Sequence, residues 1–216
     1  MAALAGILCL AWLAIGCVSR PPYEAGPFRK DDLVEIVSID PSIRLDIRYA
    51  TSNNFVRRPV YKEARAFLQR PAAEALVRAN RQLNARGYGI TVFDGYRPWA
   101  VTKLFWDTAS PAMRPFVADP SKGSRHNRGC AADITLHELA TGQEVRMPGE
   151  YDEATERSYP NYTGGTAESR RLRDLLRTVM EAEGFTVYEN EWWHFDFNGW
   201  REYRIGNVPF SELKGR

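Results

Sequence analysis

The chain has 216 residues, 44% of them hydrophobic, which is enough for one domain of ordinary size with a real core. Charged residues make up 26%, the formal net charge is only +2 and no long basic run is present, so no nucleic-acid partner is expected. With Cys9 in an apolar leader and Cys17 at its end, Cys130 is left alone and no internal disulfide is expected.

Met1 to Gly16 is apolar and uncharged. It is shorter than the ~20 residues of a comfortable membrane span and fits the core of a secretory signal. Cys17 follows Leu13-Ala14-Ile15-Gly16, a small-residue run like a bacterial lipoprotein cleavage box. Residues 1–16 therefore read as a signal peptide of lipoprotein type. The mature protein is expected in the periplasmic cell envelope, touching the membrane only through a lipid on Cys17; an ordinary signal peptide with an incidental cysteine is the alternative. Residues 17–32, with Pro21, Pro22, Gly26 and Pro27, read as a tether, and 33–216 as the folded domain.

Leu33 to Tyr49 alternates in places and predicts two short strands split by Asp40-Pro41. Pro71 to Arg86 is a predicted helix, with proline in its first turn, Gly87 as its stop and a stripe of Ala72, Leu76, Ala79 and Leu83. Ile90 to Phe93 is a strand ending in Asp94-Gly95-Tyr96-Arg97-Pro98, and a second helix runs from Trp99 to about Thr108. Ala131 to Leu136 reads as a strand and Thr141 to Thr166 as a long loop of the kind that is often functional. Ser169 to Glu183 is the last helix, and Phe185 to Glu189 and Trp192 to Phe197 are closing strands.

Two stretches carry chemistry. The first runs Ser124-Arg125-His126-Asn127-Arg128-Gly129-Cys130-Ala131-Ala132-Asp133; the second is Glu191-Trp192-Trp193-His194. They hold two of the three histidines, one candidate carboxylate ligand and one spare carboxylate, a set that suits a catalytic zinc site with one position left for water. A histidine beside an aspartate as a satisfied structural pair is the plainer reading of either stretch alone. Residues seven apart (His126, Asp133) or three apart (Glu191, His194) point to opposite faces of an unbroken strand, so a turn or bulge must intervene in each, with Gly129 the natural place for the first. Cys130 has the wrong parity to join Asp133 and reads as a packing residue. His137-Glu138 begins like His-Glu-x-x-His, but Thr141 ends that possibility.

Ser-x-His-x-x-Gly-x-Ala-x-Asp followed by Glu-x-Trp-His resembles the VanX-type D-alanyl-D-alanine dipeptidases, zinc enzymes related to D,D-carboxypeptidases and to the hedgehog signalling domain. Tyr49-Ala50-Thr51 with Asn53-Asn54-Phe55 resembles the same family's Tyr-Ala-Thr-x-x-Asn-Phe segment. Asp94-Gly95-Tyr96-Arg97-Pro98 resembles the segment that carries its catalytic arginine. Met147 to Asp152 loosely resembles its Met-Gly-x-x-Phe-Asp segment, from which Pro148 and Gly149 depart.

The resemblance covers about Leu45 to Phe197 and implies an α+β fold of hedgehog/D,D-peptidase type, a mainly antiparallel sheet with helices packed against it. It implies one zinc per chain on His126, Asp133 and His194. Glu191 is then the general base, Arg97 the stabiliser of charge on the carbonyl oxygen, Ser124 a hydrogen-bond partner of the substrate and Asp152 the partner of its amino group. The reaction implied is hydrolysis of the small D,D-dipeptide D-alanyl-D-alanine. A D,D-carboxypeptidase acting on muropeptides and a non-catalytic wall-binding lipoprotein remain as alternatives; closure of the pocket beyond the substrate amine would separate the first two.

Overall fold

The computed structural model describes residues 20–213; the expected signal segment and Cys17 lie outside the described residues. In chain order the elements are β1 (Leu33–Glu35), α1 (Ile36–Ile39), β2 (Arg44–Leu45), β3 (Phe67–Gln69), α2 (Arg70–Asn84), β4 (Tyr88–Asp94), α3 (Trp99–Thr108), β5 (Ala131–Glu138), α4 (Ala167–Ala182), β6 (Phe185–Tyr188) and β7 (Glu191–Phe197). A five-stranded sheet has the order β2-β4-β5-β7-β6, and β1 pairs with β3 in a separate ribbon. Only the β2–β4 pair is parallel; every other pairing is antiparallel. The fold is therefore α+β with a mainly antiparallel sheet, as expected.

Strand alternation divides the sheet into two faces. Along β5, Ala132, Ile134 and Leu136 join the hydrophobic core, together with Ile90 and Val92 of β4 and the buried faces of α2 and α4. Ala72, Ala73, Ala75 and Ala79 are fully buried on α2, and their small side chains let it lie close to the sheet. Leu172, Leu176, Val179 and Met180 do the equivalent work on α4; each fully buried leucine contributes ~1.5–3 kcal/mol. The α4 N-terminus is closed by a capping box between Thr166 and Ser169. The opposite parity sends Asp133, Thr135 and His137 to the other face of β5, where the loops gather.

The stretch from Leu33 to Tyr49 departs from expectation. Leu33–Glu35 is a strand, but Ile36–Ile39 forms one helical turn, and only Arg44–Leu45 pairs with the sheet before a 3-10 turn at Arg48–Ala50. Pairing with β3 ends at Glu35, and the turn then drops Ile36 fully into the core. Tertiary burial overrides the strand preference of Ile36, Val37 and Ile39.

The described part of the expected tether, residues 20–32, is laid along the domain. Glu24 pairs with the Arg128 guanidinium and accepts from the Ile205 backbone N–H at 2.9 Å. The Arg29 N–H donates to Glu202 O at 2.8 Å, and the Asp32 N–H to Gln69 Oε1 at 2.8 Å. Among the described residues no helix is long and apolar enough to cross a membrane.

Candidate metal centre and catalytic pocket

Asp133 and His194 are brought together by strand register: they are direct partners across β5 and β7. His126 arrives from a 3-10 turn, His126–Arg128, that precedes β5. Gly129 ends that turn in the left-handed region at φ 67°, where a side chain would also run into Leu33 and Gln69. Glu191 opens β7, and the β6–β7 register shifts beside it, between Val187 and Tyr188. Both irregularities required by the odd spacings are therefore present.

His126 Nε2, His194 Nδ1 and Asp133 Oδ1 lie 3.0–3.3 Å from one another. Tetrahedral zinc with bonds of ~2.0–2.1 Å has ligand–ligand edges of roughly 3.3 Å, so the spacing fits. The hydrogen bonds on the far sides of the rings set the tautomers. His126 Nδ1 is 2.7 Å from Gly95 O, which can only accept, and His194 Nε2 is 2.8 Å from Asp196 Oδ1. Each ring therefore donates outward and turns a lone pair inward. Two ring nitrogens 3.1 Å apart beside a carboxylate repel unless a proton or a metal cation lies among them. Asp133 Oδ1 is a buried oxygen with no hydrogen-bond donor. Burial opposes a second proton on His194, but Asp196 and Asp133 outweigh it and raise its pKa well above the ordinary value, so without a metal a proton takes the inward position that a cation would fill. Burial likewise works against the Asp133 carboxylate, and the two histidines more than offset it, holding Asp133 well below the usual carboxylate range. These residues can hold a divalent metal.

The three side chains open onto a cavity of about 300 Å³. Glu191 lines it with Oε2 3.7 Å from His194 Nδ1, and desolvation in the pocket holds its pKa up at about 8. Arg97 lines the same cavity. Its Nε and Nη2 bind Asp94 Oδ2 at 2.9 and 2.8 Å, and Tyr61 donates to Asp94 Oδ1 at 2.9 Å. The guanidinium also lies against the neighbouring Phe105 and Tyr49 rings, 4.9 and 5.4 Å from their centres. Its place is set by partners on three sides. Ser124 is buried in the wall, where its Oγ accepts from the His126 N–H at 3.2 Å and so bonds the backbone of the ligand itself.

Asp152 lines the same cavity from the loop after β5. Tyr49 donates to both of its oxygens, at 3.0 and 2.9 Å. Its backbone sits at φ 59°, an unusual conformation for a residue other than glycine. Desolvation, and then the Asp133 charge, raise its pKa to about 7. No cationic side chain forms an ion pair with it among the described residues, so a positively charged group is the partner its chemistry asks for.

All seven expected site residues thus line one cavity. The third histidine, His137, stays outside it and bonds Thr91 Oγ1 at 3.0 Å. Cys130 is fully buried, with its thiol pushed up by burial, and takes no part in the ligand cluster. The sequence reading passed over Asp94, Tyr61, Tyr151 and Asp196. Asp196 was within reach of it: two residues beyond His194 on a strand, it shares that residue's face.

A family profile for D-Ala-D-Ala dipeptidases, the M15 peptidases, matches residues 29–204. The D-alanyl-D-alanine dipeptidase of Escherichia coli strain K12 is 30% identical over 180 residues, 83% of this chain and 92% of that protein. The D-alanyl-D-alanine dipeptidase of Enterococcus faecium is 34% identical over 171 residues, 71% of this chain and 85% of that protein. Among solved structures, a vancomycin-resistance D,D-dipeptidase, VanXYg, in complex with a D-Ala-D-Ala phosphinate analogue aligns over 85% of this chain and 70% of its own, at 18% identity and a TM-score of 0.41. With the match spanning most of the domain, the chain is a peptidase of the M15 family, the family of the D-Ala-D-Ala dipeptidases.

Proposed function

We propose that this chain hydrolyses D-alanyl-D-alanine to two D-alanines with one zinc ion held by His126, Asp133 and His194. The observation that carries the reading is the convergence of two inward-facing imidazole nitrogens and the orphaned Asp133 Oδ1 within 3.0–3.3 Å of one another, with Glu191 beside them. The names of the curated relatives at 30 and 34% identity support the substrate. Zinc in such a site supplies Lewis acidity, polarising the scissile carbonyl and lowering the pKa of water.

The chain's own residues do the rest. Glu191 is not needed as a ligand, since the three others already fill the protein's share of the shell. It takes a proton from the attacking water and delivers it to the leaving amine. Arg97, fixed by Asp94 and the flanking rings, offers its donors to the negative charge that develops on the carbonyl oxygen. Asp152 takes the substrate ammonium, a charge that a free dipeptide offers and the acylated nitrogen of a longer peptide does not, which favours the dipeptide. Ser124 offers its hydroxyl to the substrate from the wall.

Purified protein supplied with zinc and offered D-Ala-D-Ala, or a longer peptide ending in D-Ala-D-Ala, checks this by the release of D-alanine. Cleavage of the dipeptide, abolished by chelation and restored by zinc, is expected, with the longer peptide turned over far more slowly. Preference for the longer peptide would sink the dipeptidase reading, and activity untouched by chelators would sink the zinc.

A further inference from the structure

We propose that the Tyr151 hydroxyl is a positioning donor for the metal centre, holding Asp133 so that a single oxygen faces the two imidazoles and tying that ligand to the loop that carries Asp152. The inference rests on the zinc reading above. A carboxylate rotates about a broad, roughly two-fold torsion and can offer either oxygen or both. In Asp133 that symmetry is broken. Tyr151 donates to Oδ2 at 2.9 Å, while Oδ1 has no donor and lies 3.3 and 3.0 Å from the ring nitrogens of His126 and His194. The nearest Arg97 nitrogen, Nη2, is 3.7 Å from the same Oδ2, beyond hydrogen-bond reach. Tyr151 is therefore the one short donor to this carboxylate outside the ligand histidines, among the described residues.

The hydroxyl's own position is set by packing. The Tyr151 ring is clamped between Phe93 and Trp193, with centroids 4.6 and 5.5 Å away, and meets Tyr49 at 6.2 Å. Phe93 belongs to β4 and Trp193 to β7, so the clamp is anchored on the same sheet as the ligands. The residue after Tyr151 is Asp152, with its backbone at φ 59° and its carboxylate bound by Tyr49. Adjacent side chains of one loop thus reach the metal ligand on one side and the ammonium partner on the other.

Tyr151→Phe keeps the ring and its clamp and removes only the donor. Tyr61→Phe is the matched control, since it deletes a buried tyrosine-to-carboxylate bond, on the Asp94 that holds Arg97, without touching a ligand. Zinc affinity, measured by competition with a chromogenic chelator, should weaken ~10–100-fold in Tyr151→Phe, the usual worth of a group that orients a ligand. Tyr61→Phe should hold zinc as wild type does, whatever it does to melting temperature or turnover. Wild-type affinity in Tyr151→Phe, or equal weakening in both variants, overturns the inference. A wild-type protein that holds no zinc, or holds it unweakened in His126→Ala, overturns the zinc reading itself, and this inference with it.

Discussion

At one end of the pocket, Asp133 and His194 face each other across β5 and β7, and the pairing of backbones that puts them there would survive most changes of side chain. At the other end, Asp152 sits on a loop and depends on Tyr49, 103 residues away, for its hydrogen bonds and on a backbone at φ 59° for its direction. The ligand end is thus built from register, and the substrate end from side chains reaching between distant segments. Loops held in this way on a rigid sheet can change what is bound without disturbing the chemistry beneath. Tyr151 is where the two modes of construction meet.

The comparison can be broken most sharply at Glu191. Glu191→Gln keeps the size of the side chain but cannot accept a proton, so turnover should fall by ~10²–10⁴-fold while zinc content stays at the wild-type level. Loss of zinc in that variant would make Glu191 a ligand and the site misassigned. Arg97→Ala should also keep zinc and lose roughly 10²–10³-fold in turnover. Wild-type turnover in either variant would remove that residue from the mechanism. Metal analysis beside kcat separates these outcomes.

The same division explains what the sequence could and could not disclose. Helix α2 is readable from its apolar stripe of Ala72, Leu76, Ala79 and Leu83, and the two irregular spacings, His126 to Asp133 and Glu191 to His194, each demand a turn or bulge, which the structure supplies as a 3-10 turn and a register shift. The ligand end was legible because its residues are close in sequence to the elements that place them. Tyr151 and Tyr61 are not, since the bonds that give them meaning join residues 18 and 33 positions apart with no periodic signal. The helical turn at Ile36–Ile39 was hidden for a related reason: β-branched residues favour a strand locally, and only the burial of Ile36 against the rest of the core shows why the chain turns there.

The substrate end gives a smaller and differently shaped effect. Asp152→Asn removes the charge that meets the ammonium, so KM for D-Ala-D-Ala should rise ~10–100-fold, the worth of one hydrogen bond to a charged group, with kcat less affected. The same variant carries a pH signature in the metal-free, substrate-free protein. The Asp152 carboxyl has a pKa of about 7 in the fold against 3.8 for the unperturbed group, so the unfolded chain releases its proton first. Below about pH 4 both states are protonated and the group has no effect. As pH rises toward 7 the folded state loses stability relative to the unfolded one, and above 7 the whole penalty is present. Asp152→Asn should therefore melt higher than wild type at pH 8 and equal to it at pH 4. Parallel melting curves for the two proteins across that range would show that Asp152 is comfortable as an anion without a substrate.

The smallest effect is expected where the ligand end itself borrows a side-chain contact. Arg128 closes the 3-10 turn that begins with His126, and its guanidinium is largely buried. It donates to Tyr203 O, lies 5.4 Å from the Trp200 ring centre and is neutralised by Glu24, on the stretch read from sequence as a tether. Glu24 also accepts from the Ile205 N–H at 2.9 Å, so one carboxylate fastens the N-terminal stretch to both the ligand turn and the chain beyond β7. Glu24→Gln keeps the shape and can still accept from Ile205, but leaves Arg128 short of its counter-charge. Breaking a fully buried pair costs ~3–5 kcal/mol. With the Glu24 side chain 22% exposed, water screens part of that, and about 1–3 kcal/mol is the reasonable expectation. In a chain of this size that lowers the melting temperature by several degrees. Since Asp133 and His194 are placed by register, zinc affinity should fall less than in Tyr151→Phe, through His126 alone. A Glu24→Gln protein that binds zinc as weakly as Tyr151→Phe would mean that the ligand end, too, depends on contacts between distant segments, and the distinction between the two ends of the pocket would fail.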